Sequence, residues 1–179
     1  MNKKNLSILF LIALFVFSAC AENKMQNPRE LSEEEARLES VLQRAKFKDM
    51  EGNDVYLSDY KGKVVMIDFW ETWCSPCLMV FPALDSLKAE YGNDFEVLAV
   101  NTLTADEEAE INEFIEQTGY NFEFALDSYD VGAEVISLGI PFKVFFDPQG
   151  FFIKAELGSA GTEGDYLKAK TIIEDNKDS

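Results

Sequence analysis

Two thiols three residues apart, in Trp73-Cys74-Ser75-Pro76-Cys77, stand between an apolar run and a helical pattern. The run, Val64-Val65-Met66-Ile67, reads as a buried strand. Downstream, Leu78, Val80, Phe81, Leu84 and Leu87 recur at roughly helical spacing. The first thiol is therefore expected at a strand-to-helix corner, on the positive end of the helix. Backbone N–H groups and the macrodipole both favour a thiolate there. A thiol of ordinary pKa ~8.5 is about 3% ionised at pH 7, and one lowered to ~7 is about half ionised. The difference is worth roughly 2 kcal/mol at ~1.36 per unit. The pattern points to disulfide exchange, with Cys74 attacking and Cys77 resolving.

Two other readings of the pair stand beside this one. A Cys-x-x-Cys pair is half of a zinc site, but such sites take four ligands. The chain has no histidine and one further cysteine, Cys20. No metal and no bound cofactor is expected; the redox group is the cysteine pair itself. A purely structural disulfide would close too short a loop to constrain much unfolded chain, and the flanking Trp73 and the helix start speak against it.

The net charge of −17 makes nucleic acid an unsuitable partner. Residues 1–19 read as a signal peptide. Lys3 and Lys4 precede an apolar run from Leu6 to Phe17, followed by the small Ser18 and Ala19. The run is too short for a bilayer core, which needs about 20 residues. Phe17-Ser18-Ala19-Cys20 resembles the bacterial lipobox, with Phe17 where Leu is usual. That resemblance implies lipidation of Cys20 and a membrane anchor; the alternative is ordinary cleavage near Ala19 or Ala21. Either route places the domain outside the cytoplasm, where a dithiol must be kept reduced to act as a reductant.

Residues 20–44 read as a polar tether and a short helix at the domain edge, opened by a capping box at Ser32-Glu33-Glu34-Glu35. Ala45–Lys48 and Val55–Leu57 form a hairpin around Gly52-Asn53, and Ser58–Gly62 a turn. The central strand is Lys63–Trp70. Pro82 should kink the following helix. Further strands are expected over Phe95–Asn101, Phe122–Leu126, Phe142–Phe146 and Phe151–Glu156, and helices over Ala105–Thr118, Tyr129–Leu138 and Asp165–Asp175.

Two carboxylates near the thiols need assigning. Asp68 sits within a run expected to be buried on both faces. Burial would raise its pKa and let it trade protons with a nearby thiol; the alternative is that it points to solvent at the strand end. Glu71 reads as an exposed loop residue, at most a modulator opposing thiolate formation. Ile140-Pro141, directly before a strand, is well placed for a cis peptide that lets the Ile140 backbone pair with an extended substrate.

From Phe47 onward the chain resembles TlpA/ResA-like thioredoxin-fold proteins of the bacterial envelope, within the AhpC/TSA-redoxin superfamily. The residues carrying the resemblance are Ser58-Asp59-Tyr60-Lys61-Gly62-Lys63, Phe69-Trp70-Glu71-Thr72-Trp73-Cys74-Ser75-Pro76-Cys77, Gly139-Ile140-Pro141 and Asp147-Pro148-Gln149-Gly150. It implies an α/β, thioredoxin-like domain over residues 45–179: a central mixed sheet flanked by helices, with an N-terminal hairpin extension and an α-β insertion from Thr104 to Leu138. It implies Cys74 as nucleophile, Cys77 as resolving thiol, Pro141 as cis-proline and Asp68 as the buried aspartate. The substrate groove would be formed by Trp73, Ser75, Pro76, Ile140 and Phe142, the last standing where Thr is common. Ser75-Pro76 replaces the Gly-Pro of thioredoxin, a pair that tunes potential. The implied partners are an exported Cys-containing protein such as apocytochrome c as substrate, and a membrane thiol-transfer protein as electron donor. A redoxin-type peroxidase would want Thr or Ser three residues before the reactive thiol, where Glu71 stands. A metal chaperone is disfavoured by the absence of histidine.

Overall fold

The computed structural model describes residues 27–179. The expected signal peptide, Cys20 and the first part of the tether lie outside the described residues.

The apolar run becomes β3 (Val64–Trp70), every residue of which is buried. A strand buried on both faces needs neighbours on both edges and cover on both sides. Its edge partners are β4 (Phe95–Asn101), parallel, and β6 (Phe142–Phe146), antiparallel. Outside these lie β5 (Glu123–Leu126), parallel to β4, and β7 (Phe152–Leu157), antiparallel to β6. The hairpin β1 (Phe47–Asp49) and β2 (Asp54–Val55) pairs antiparallel on β5, giving a seven-stranded mixed sheet ordered β2-β1-β5-β4-β3-β6-β7.

Side chains alternate across a strand, so β3 feeds two cores. Val64, Met66 and Trp70 enter the core beneath α2 (Ser75–Tyr91), α3 (Glu108–Thr118) and α5 (Gly161–Asn176), which contains both cysteines. Val65, Ile67 and Phe69 enter the other, beneath α1 (Glu33–Leu42) and α4 (Val131–Val135). The Ser32–Glu35 capping box opens α1 as expected, and Leu38, Val41 and Leu42 join this second core. By the same alternation Asp68 lies on the cysteine face.

Four elements differ from the sequence reading. Thr104, Ala105 and Asp106 bind the segment before Cys74 instead of starting α3, which begins at Glu108. The helix expected over Tyr129–Leu138 is the short α4, because Asp130 adopts a left-handed φ of 57° and Asp127 caps Val131 and Gly132 from outside. Gly132 allows that cap: a Cβ there would stand 2.9 Å from Asp127 Oδ2. α5 begins four residues early at Gly161, since the Asp165 carboxylate accepts from Ala160 N–H and ties down the preceding turn. The expected turn after β2 is a 3₁₀ turn, Leu57–Tyr60. α2 is one helix from Ser75 to Tyr91 with Pro82 inside it.

Candidate active site

β3 ends at Trp70, and the chain turns through Glu71-Thr72-Trp73 into α2. Cys74 is the N-cap of α2, and Pro76 stands in its first turn, where the missing N–H costs nothing. Cys74 and Cys77 are joined as a disulfide, with Cα atoms 5.2 Å apart. The Cys77 N–H donates to Cys74 Sγ at 3.3 Å. A backbone donor at the helix start therefore points at the sulfur that must carry charge once the bond opens. Cys74 is 3% exposed and Cys77 is fully covered, so an incoming thiolate reaches Cys74 first.

Around that sulfur, Ser75 and Pro76 are exposed, and the Trp73 indole is 62% exposed. The Ile140–Pro141 peptide is cis, and the Pro141 carbonyl accepts from Gly158 N–H at 2.8 Å. Trp73, Gly139 and Ile140 are among the residues lining a groove of about 300 Å³, with Glu71, Thr102 and Thr104. Phe142 is not part of it. One residue beyond the buried Pro141, strand alternation turns its ring to the other face of the sheet, where it stacks on Phe69 at 6.4 Å. Ser75 and Pro76, expected in the groove with Phe142, do not line it either.

Asp68 is fully buried, on the cysteine face, and does not reach solvent. Neither carboxylate oxygen has a hydrogen-bond partner among the described residues. Burial pushes its pKa up to about 8; the charge of Lys143 pulls the other way and that of Asp165 adds to the rise. Lys143 stands directly opposite Asp68 in the β3–β6 register. It is buried, with Nζ 2.7 Å from Asp165 Oδ1 and 4.0 Å from Glu156. Asp165 also accepts from Ser159 Oγ and Ala160 N. Burial raises the Asp165 pKa, but the bonds from Lys143 and Ser159 outweigh it and hold the group below the ordinary value. Sequence reasoning missed Lys143 and Asp165. The signal was a lone charge in Phe142-Lys143-Val144-Phe145-Phe146, the counterpart of Asp68 in β3.

The expected placement of Glu71 is corrected by the structure. It is fully buried instead of exposed in a loop. Its Oε1 accepts from Thr102 Oγ1 and, at 2.9 Å, from Thr104 N. Its Oε2 accepts from Trp73 Nε1 at 2.6 Å and Ala105 N at 3.1 Å. Burial acts to raise its pKa, yet the bonds from Thr102, Trp73 and Thr104 leave it below the ordinary glutamate value. Next to it, Asp106 accepts from Thr72 N and Oγ1, each at 2.6 Å, and from Asn101 Nδ2 at 2.7 Å. Two buried carboxylates thus fasten residues 71–73 to the crossover that follows β4. Among the described residues no group of three or more His, Cys, Asp or Glu side chains is arranged to hold a metal ion.

Over residues 39–157 the sequence matches the AhpC/TSA family. It is similar to the thiol-disulfide oxidoreductase ResA of Bacillus cereus, at 29% identity over 177 residues covering 94% of this chain and 99% of that one. Among solved structures, StoA from Bacillus subtilis superposes with a TM-score of 0.58 at 25% identity, over 71% of this chain and 95% of that one. The pneumococcal exposed lipoprotein thioredoxin Etrx1 from Streptococcus pneumoniae superposes with a TM-score of 0.59 at 27% identity, over 71% of this chain and 98% of that one. The mixed sheet flanked by helices is the thioredoxin-like fold of these neighbours.

Proposed function

The chain belongs to the AhpC/TSA family and is a thiol–disulfide oxidoreductase of the ResA type; we propose that it works outside the cytoplasm, tethered to a membrane, as a reductant of protein disulfides. The observation that carries the chemistry is the Cys77 N–H bonded to Cys74 Sγ at a helix start, beside the groove walled by Trp73 and Ile140. In the reduced protein, the Cys74 thiolate attacks one sulfur of a substrate disulfide. A mixed disulfide forms, and the other substrate sulfur leaves as a thiolate. The Cys77 thiol then loses its proton and attacks Cys74 Sγ. The Cys74–Cys77 bond forms, and the second substrate thiol departs. Buried Asp68, on the cysteine face with its pKa pushed up to about 8, would in its ionised form be the base for the Cys77 proton. A thiol-transfer protein of the membrane would return the electrons, and exported Cys-containing proteins would be the substrates.

The tether rests on the leader, with Lys3 and Lys4, a short apolar run and Ser18-Ala19-Cys20 at its end. The likeness to a protein described as an exposed lipoprotein thioredoxin supports the same reading. Residues 1–19 would be removed, Cys20 would carry the lipid, and residues 45–179 would form the working domain behind α1. The family's peroxidase chemistry is disfavoured by Glu71, a buried carboxylate three residues before Cys74 where that chemistry wants a hydroxyl.

Insulin reduction tests the activity. The reduced protein should turn over insulin disulfides with dithiothreitol as donor, and Cys74→Ser should abolish turnover. Activity surviving that change would overturn the reading, and so would faster turnover of hydrogen peroxide than of insulin. Metabolic labelling with palmitate tests the anchor: label should enter the full-length chain and be lost in Cys20→Ala.

A further inference from the structure

The groove beside Cys74 has one wall that ought to be loose. Trp73 is 62% exposed, lies in the turn between β3 and α2, and has solvent over most of its ring. A ring so placed would ordinarily sample several rotamers, and a substrate would have to order it on binding. Here its only polar atom is held by a 2.6 Å bond to a fully buried carboxylate.

That carboxylate is chemically specified. Each of the two oxygens of Glu71 faces two donors: Thr102 Oγ1 and Thr104 N on one, Trp73 Nε1 and Ala105 N on the other. Two of the four are backbone N–H groups, which cannot become acceptors. A glutamine would have to turn its NH₂ toward one of these pairs, setting donor against donor. No neutral isostere satisfies the site. The donors also come from different places: three from the crossover that follows β4, one from the exposed ring. Glu71 therefore fixes the ring relative to Thr102 and Thr104, which line the same groove.

We propose that Glu71 is a positioning residue for substrate recognition, which locks Trp73 as a preorganised wall for the polypeptide flanking the substrate disulfide. The proposal rests on the reading of the protein as a reductant of protein disulfides. It separates two kinds of substrate. A disulfide embedded in a polypeptide meets the wall; a small disulfide reaches Cys74 without touching it.

The test compares insulin with hydroxyethyl disulfide in the wild type, Glu71→Gln, Trp73→Phe and the double variant. Wild-type reduction of insulin tests the underlying reading; the variants test this inference. Glu71→Gln should raise the KM for insulin about tenfold, equivalent to ~1.4 kcal/mol, with a much smaller change in kcat. Its kcat/KM for hydroxyethyl disulfide should fall by less than a third of that factor. In the Trp73→Phe background, which has no indole N–H, Glu71→Gln should add less than about twofold, because the two act as one unit. Equal losses on both substrates, or losses that multiply in the double variant, would overturn the proposal. If Glu71→Gln does not fold, Trp73→Phe alone decides. A several-fold rise in insulin KM with little change on hydroxyethyl disulfide supports the lock, and wild-type kinetics on insulin refute it.

Discussion

Asp68 and Glu71 are three residues apart, both fully buried, and carry the same functional group. Their surroundings differ. Glu71 receives four donors and stays ionised. Among the described residues Asp68 receives none, and burial takes its pKa to about 8. Burial by itself sets neither protonation state nor role; the donors within reach decide. The satisfied carboxylate holds structure together as an ion, and the unsatisfied one keeps its proton up to about pH 8.

The largest effect expected from breaking this contrast is on stability. The folded-state pKa of Asp68 lies above its ordinary value of 3.8. The neutral folded form is therefore stable below about pH 4, and that stability is lost as pH rises through about 8. At ~1.36 kcal/mol per unit the loss is on the order of 5 kcal/mol. Asp68→Asn removes it. In urea unfolding of the oxidised protein, Asp68→Asn should match the wild type near pH 4, exceed it increasingly toward pH 8, and level off above. A pH-independent difference would mean that Asp68 is not protonated in the fold.

Lys143→Met comes next. It leaves Asp165 as a buried charge without its cation, at a cost of about 3–5 kcal/mol. It also removes the one charge pulling Asp68 downward, so the pH window of the first experiment should move above 8. An unmoved window would show that the two strands' charges do not interact.

Glu71→Gln should behave oppositely. Stranding a buried donor costs about 1–3 kcal/mol. The Glu71 pKa is depressed, so its contribution is present above the ordinary 4.5 and is lost as pH falls through the folded value. The wild type should lead Glu71→Gln by a constant margin above about pH 5, and the margin should shrink in acid. Its shrinkage toward alkaline pH would assign Glu71 the behaviour of Asp68.

What could be read in the sequence follows from this contrast. Val64–Trp70, the helix after Cys77 and the cysteine pair at their junction were legible, because local pattern dictates them. Asp68 was legible as buried, since it sits inside an apolar strand. Glu71 was not. Its burial depends on donors at Thr102, Thr104 and Ala105, about thirty residues away and unmarked by any periodicity. Lys143 was hidden for the same reason: its partners Asp165 and Asp68 meet it only once β6 has paired with β3. The missed orientation of Phe142 is a register matter, since the strand phase after Pro141 decides which face a side chain takes.

The smallest changes probe the contrast one donor at a time. Thr102→Val removes a single hydroxyl from Glu71 and leaves three donors. It should cost about 1 kcal/mol and move the acid limb of the stability curve upward, whereas Glu71→Gln abolishes that limb. The converse is Ala99→Ser. Ala99 is paired with Asp68 across β3 and β4 and packs in the cysteine-side core, so a hydroxyl there is a donor delivered to an oxygen that has none. Added bulk in a filled core costs about 1 kcal/mol or more. The stability window of Asp68 should nevertheless move below pH 8, because a bond to the ionised form favours it. If donors set these two carboxylates apart, the two substitutions must shift the titrations of Glu71 and Asp68 toward each other. Should both shift in the same direction, depth of burial and not hydrogen bonding would be what distinguishes them.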